Sequence, residues 1–191
     1  MKPVHRPAVR SKPQFVIEDY FLGRTFAWGL FVDRFGRVRR EFSVDITGEF
    51  DDGRLVLKED FDFDDGERSQ RLWLITPLGD GRYRGSADDV VGTANGKVKG
   101  NRLRWSYDLN LRIGARLWRV HLDDVMLLQN DQILLNRASM SKYGVKLGEI
   151  MICFQKEVQT AGNGSADVKM TDTVTRRPVP LDRDLVPARS A

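Results

Sequence analysis

Five polar side chains stand where the surrounding pattern calls for apolar ones. Arg40 falls between Val38 and Phe42, and Glu59 between Leu57 and Phe61. Arg71 shares parity with Trp73 and Ile75, Asp124 with Leu122 and Met126, and Asn136 with Leu134 and Ala138. Residues two apart on a strand share a face, so all five are predicted to point into an interior. A buried charge without a partner is costly, so such groups pair with one another, meet water in a cavity, or hold a ligand. Two chemistries follow. One is an internal arginine–carboxylate network that fixes strand register. The other uses Arg40 or Arg71 to grip an anionic head group while Trp28, Trp73, Trp105, Tyr107 and Trp118 line an apolar pocket.

Other reactive residue types lead less far. The single cysteine, Cys153, excludes an internal disulfide framework and cysteine-rich metal sites. It sits among Ile150, Met151, Ile152 and Phe154, where an inert thiol is the usual occupant. Only His5 and His121 could serve a histidine-based metal site or base. His121 alternates with Arg119 and Asp123, which predicts an outward, hydrated ring. An EF-hand loop starting at Asp60 fails at Asp65 and Arg71, where glycine and glutamate are required. Gly92 to Val98 lacks the spacing of a phosphate loop and reads as a hairpin. No nucleophile, base and oxyanion hole come together, so the expectation is a non-catalytic protein without metal or cofactor.

The elements that must position these groups are strands. Apolar residues recur at every second position from about Glu18 to Gln155, most clearly at Leu103, Trp105, Tyr107, Leu109 and Leu111. Phe26, Trp28, Leu30 and Val32 form another bulky face. Val38–Ile46, Leu55–Phe63, Trp118–Met126, Ile133–Ser141 and Val145–Phe154 continue the series. Turn signals separate them at Arg34-Phe35-Gly36, Asp51-Asp52-Gly53, Asp64-Asp65-Gly66, Gly79-Asp80-Gly81, Asn95-Gly96, Gln129-Asn130-Asp131 and Tyr143-Gly144. One short helix is predicted within Phe15–Phe21. The fold class is all-β: an antiparallel up-and-down meander of about nine or ten strands, closed into a barrel to remove its edges. An open sandwich is the alternative.

The 191 residues allow one such domain with chain to spare. Residues 1–14 hold Lys2, Arg6, Arg10 and Lys12 and no acid, and residues 158–191 hold five bases and four acids. Of the net charge of +4, residues 15–157 therefore carry −1. The expected organisation is a basic disordered arm over 1–14, a β-barrel over 15–157 and a disordered tail over 158–191. A near-neutral body whose aromatics alternate with charges argues against nucleic-acid binding. No apolar run reaches the length of a membrane-spanning helix, and no secretory h-region or lipoprotein-type cysteine follows the N-terminal bases, so a cytoplasmic location is expected, or a periplasmic one if a signal segment precedes these residues.

Several ordered motifs carry a resemblance. They are Asp19-Tyr20-Phe21-x-Gly23, Ala27-Trp28-Gly29, Asp33-Arg34-Phe35-Gly36, Glu59-Asp60-Phe61, Val91-Gly92-Thr93-Ala94, Asp123-Asp124, Asn136-Arg137-Ala138 and Met140-Ser141-Lys142-Tyr143-Gly144. Over about residues 18–156 the chain resembles a bacterial domain family of uncharacterised function, many of whose members are described as lipoproteins. The resemblance implies a lipocalin-like barrel and a setting of membrane-lipid modification or stress, because family genes often neighbour those for cyclopropane-fatty-acid-synthase-like enzymes. It assigns no catalytic residue. Two functions follow: a binding protein holding a fatty acyl chain or similar amphiphile inside the barrel, or an adaptor for a lipid-modifying enzyme with no ligand of its own.

Overall fold

The computed structural model describes residues 13–113 and 116–157; the expected arm, apart from its last two residues, and the expected tail lie outside the described residues. After an extended entry, one short helix, α1 (Ile17–Phe21), precedes the strands. Ten strands follow: β1 (Gly23–Asp33), β2 (Val38–Asp51), β3 (Arg54–Phe63), β4 (Arg68–Pro77), β5 (Arg82–Ser86), β6 (Val90–Lys99), β7 (Arg102–Ile113), β8 (Arg116–Leu128), β9 (Ile133–Lys142) and β10 (Val145–Lys156). Each pairs antiparallel with the next, and β1 pairs with β10, so the meander closes into a barrel. Closure gives every strand two neighbours, although the short β5 leaves Arg68–Trp73 of β4 and Val90–Thr93 of β6 without a ladder partner on that side. Among the described residues no helix is long and apolar enough to cross a membrane.

Tight turns fall where the glycines and aspartates predict them. Gly36, Gly53, Gly66 and Gly144 all take positive φ, the left-handed region that a side chain disfavours. One predicted turn is a strand instead. Asn95 and Gly96 sit inside β6, opposite Ser106 and Trp105 of β7, and the chain reverses at Gly100-Asn101. The glycine at 96 serves packing rather than reversal: a Cβ there would lie 2.2 Å from the Trp105 ring.

The interior divides along the barrel axis. At one end α1 forms a plug in which Phe15, Ile17, Tyr20 and Phe21 are buried with Ile46, Leu55, Leu128, Leu134 and Phe154. Edge-to-face contacts run from Phe15 to Tyr20, Tyr20 to Phe21 and Phe21 to Phe154 at centroid separations of 5.9, 4.9 and 5.7 Å. The plug is tied to the rim by Phe15 N–H donating to Gly100 O and Tyr20 O–H to Gln132 O. Gly48 lets it seat, since a Cβ there would stand 1.8 Å from the Phe21 carbonyl oxygen.

The inward face of β1 is the reverse of the sequence expectation. Thr25 and Ala27 are buried, whereas Trp28 is 52% exposed and lies on the outside. The physical reason is crowding. The Phe42 ring already fills the space inside Gly29, where a Cβ would come within 2.4 Å of it. A lumen of fixed cross-section must offset large side chains on one strand with small ones on its neighbours. In β1 Thr25, Ala27 and Gly29 therefore mark the inside, and a large inward side chain, Phe31, follows only near the strand's end.

Candidate functional site

The other end of the barrel is open. Its inward positions carry Phe31, Phe42 and Phe61 from β1, β2 and β3, Trp118 from β8, and Ile150 and Ile152 from β10. All are partly buried, although their strand faces point into the lumen, whereas Val90, Leu109, Val120 and Met140 at the same end of β6 to β9 are buried, so solvent reaches the lumen mainly beside β1 to β3 and β10. Phe42, Phe61 and Phe63 cluster with centroids 5.7 to 6.0 Å apart.

The predicted polar groups stand in and below this mouth. Glu59 and Arg71 are paired across β3 and β4, with side chains 14% and 23% exposed. Arg71 points its guanidinium at Asp89, in the β5–β6 loop, donating from Nη2 at 2.6 Å and from Nε at 3.0 Å. Its Nη1 is 4.0 Å from Glu59. Deeper, Asp124 on β8 accepts a hydrogen bond from Asn136 Nδ2 on β9 at 3.3 Å, and both residues are buried. Beneath them Trp73 meets Trp105 and Tyr107 nearly edge-on, at 5.9 and 5.4 Å. Trp105 folds over Gly85 and Gly96, so this layer is the floor of the open half.

Electrostatics sets the interior carboxylates apart. Burial pushes Glu59 up to about 7, against the pull of the Arg71 charge. Burial likewise raises Asp124 to about 6, although Asn136 donates to it. Tyr107 is held well above its ordinary value, by burial first and by the Asp124 charge second. Outer carboxylates behave oppositely: Glu149, bound by Arg137 and Lys146, falls to about 2.

Arg40 occupies the rim, not the lumen. Its Nη2 donates to Asp65 at 2.9 Å and to Glu67 at 2.5 Å, and its guanidinium carbon lies 3.6 Å from the Phe63 ring centre. Of the ten residues expected to line a pocket, the structure gathers Glu59, Arg71, Trp73, Trp105, Tyr107, Asp124 and Asn136. Trp118 stands at the mouth under the Lys142 ammonium, 3.9 Å from its ring, while Arg40 lies at the rim and Trp28 is outside.

Two features escaped the sequence reading. Asp89 completes the interior network, yet it reaches Arg71 only through a loop, so no periodicity flags it. On the outer wall, His121 Nδ1 is 2.7 Å from Asp108 and its Nε2 is 3.2 Å from Ser106 Oγ. This is the order of a catalytic triad, and Ser106-x-Asp108 paired opposite His121 is the signal that could have exposed it. Asp123 competes for the same Nε2 at 3.4 Å, and Arg119 donates twice to Asp108. Asp108 hydrogen bonding, then the neighbouring charges, raise the His121 value. Such a ring holds its proton more tightly, which opposes service as a base.

A second outer feature surrounds Trp28. Cross-strand rows Trp28–Cys153–Leu135–Leu127 and Leu30–Met151–Arg137–Val125 lay an apolar strip across β1, β10, β9 and β8. It belongs to a surface groove that also takes in Ser43 and Asp62.

Comparison with known proteins supports the fold and stops short of an activity. The family model described as "Protein of unknown function (DUF3833)" matches residues 5–156. No curated protein matches. The barrel is similar to a protein of unknown function from the DUF3598 family of Nostoc punctiforme, at TM-score 0.56 and 15% identity, over 77% of this chain and 51% of that one. It is also similar to the S-type phycobiliprotein lyase CPES of Guillardia theta, at TM-score 0.54 and 6% identity, over 73% of this chain and 90% of that one. The chain thus spans about half the length of the Nostoc protein.

Proposed function

The chain belongs to the DUF3833 family of unknown function, and from that premise we propose that it is a non-catalytic binding protein holding an amphiphilic small molecule, such as one with a fatty acyl chain, in the open half of its barrel. The observation that carries the reading is the contrast within one lumen. One end is plugged and buried, while the other leaves inward aromatic and ionic side chains in reach of solvent. Inward apolar side chains with a few convergent polar groups are the usual lining of a small-ligand site. The fold shared with the phycobiliprotein lyase supports the coarser statement, small-ligand binding.

Trp73 and Trp105 form the floor and report on occupancy. Titration of the full chain with dodecanol, followed by tryptophan fluorescence, is expected to saturate at one molecule per chain. Replacing Trp105 with Ala is expected to weaken binding. A flat titration with C8 to C16 alcohols, and no co-purified molecule in native mass spectrometry, would refute the reading.

The outer apolar strip favours a second reading, an adaptor that assists a lipid-modifying enzyme of the cyclopropane-fatty-acid-synthase type. On that reading Trp28→Glu with Met151→Glu abolishes capture of such an enzyme and leaves amphiphile titrations unchanged. Capture that survives both substitutions removes it.

A further inference from the structure

The interior of the open half contains more negative than positive groups. Glu59, Asp89 and Asp124 share one guanidinium, that of Arg71, and Arg71 is already bonded to Asp89. Arg40 supplies no relief, because Asp65 and Glu67 meet its charge at the rim. Unpartnered atoms show the same imbalance. Among the described residues Asp89 Oδ1 and Asn136 Oδ1 are buried acceptors without a donor, and Asn136 is only 7% exposed. A buried acceptor left unsatisfied costs on the order of 1–3 kcal/mol, so its natural complement is a donor brought by a ligand. Arg40 Nε is an unpartnered donor, but it sits over the Phe63 ring in a guanidinium that two carboxylates already hold.

Resting on the pocket reading above, we infer that the barrel selects an amphiphile whose head is a protonated, N–H-bearing cation, a primary amine or an amidine, and discriminates against a carboxylate head. The apolar body lies among Phe31, Phe42, Phe61 and Ile152, and the head descends toward Glu59, Asp89 and Asp124. A cation there offsets the excess charge and gives the orphaned oxygens of Asp89 and Asn136 a donor. A carboxylate brings a fourth anion against one occupied guanidinium, and like charges juxtaposed in a poorly hydrated site repel strongly. The anionic head group expected from Arg40 and Arg71 in the sequence does not fit this arrangement.

The test compares heads on one C12 body: dodecylamine, dodecyltrimethylammonium, dodecanol and dodecanoate, titrated at pH 7.5 below their micellar concentrations. Residues 41–67 hold eleven acids against two bases, so 0.5 M salt is included to screen outer-wall attraction. Dodecylamine is expected to bind at least tenfold tighter than dodecanoate. It should also exceed the trimethylammonium, which matches the charge but has no N–H. Glu59→Gln and Asp124→Asn are each expected to weaken dodecylamine about tenfold more than they weaken dodecanol; a near-ultraviolet circular-dichroism spectrum like that of the unsubstituted chain shows that the barrel is intact. Dodecanoate binding as tightly as the amine, or an amine affinity indifferent to both substitutions, overturns the inference while the pocket stands. If no C12 compound binds, the pocket itself is refuted and the inference falls with it.

Discussion

The two ends of this barrel are made of the same strands and solve opposite problems. The plugged end brings α1 over the strand termini and packs it with Ile46, Leu55 and Leu134, all at or near zero exposure. The open end places Glu59, Arg71 and Tyr107 among aromatic rings that water still reaches. Dispersion and hydrophobic burial concentrate where packing is complete. Stability should therefore reside in the plugged end, and ligand chemistry in the open one. Natural proteins commonly separate these two demands, because a functional site tolerates groups that a stable core would replace.

The sharpest way to break this comparison is to delete volume from each end. Leu134→Ala at the plugged end is expected to lose about 3–5 kcal/mol in urea unfolding, the range for a fully buried leucine. Phe63→Ala at the mouth should lose less than about 2 kcal/mol, although it removes a larger side chain, because its environment is already hydrated. Equal losses at the two sites would dissolve the division.

Acidity separates the ends next. Glu59 and Asp124 have folded values raised to about 7 and about 6, so they bind protons more strongly folded than unfolded. Their contribution is complete below about pH 4.5 and is lost as pH rises through 6 and 7. His121, raised by Asp108, acts in the same direction. Outer carboxylates such as Asp33, Asp45, Asp65 and Asp108 are lowered, so their contribution disappears only as pH falls through their depressed values. Without ligand, stability should fall between pH 5 and 8. Glu59→Gln should remove roughly 2 kcal/mol of that slope, read from chemical unfolding across the range. An unchanged slope would mean that Glu59 is not enclosed as described.

The floor between the ends offers a smaller effect. Gly96→Ala places a methyl group against the Trp105 ring and should cost about 1–3 kcal/mol, with a shift in the tryptophan emission maximum. Smallest of all, Trp28→Ala on the outer wall should change stability by no more than about 0.5 kcal/mol. A large loss there would mean that β1 faces inward through its bulky residues.

That last residue shows where the sequence was legible and where it was not. Alternation in β3, β4, β7, β8 and β9 correctly predicts Glu59, Arg71, Tyr107, Asp124 and Asn136 on the inward face, because a charge at an apolar parity is a local signal. In β1 both faces carry apolar residues, so alternation offers two solutions, and size alone favours the wrong one. The choice belongs to Phe42 on the neighbouring strand, whose ring excludes any side chain at Gly29. Asn95-Gly96 is similar: a turn dipeptide by composition, it is held in a strand by the ring it admits.

By itself the chain determined its strands, most of its turns and most of the polar residues of its interior, since period, glycine conformation and the cost of burying charge all act within a few residues. Only the tertiary structure decided that the lumen is plugged at one end and open at the other, that Asp89 reaches Arg71, and that acidic groups outnumber basic ones around them. Those facts depend on which side chains share a cross-section of the closed barrel, and residues that share a cross-section are distant in sequence.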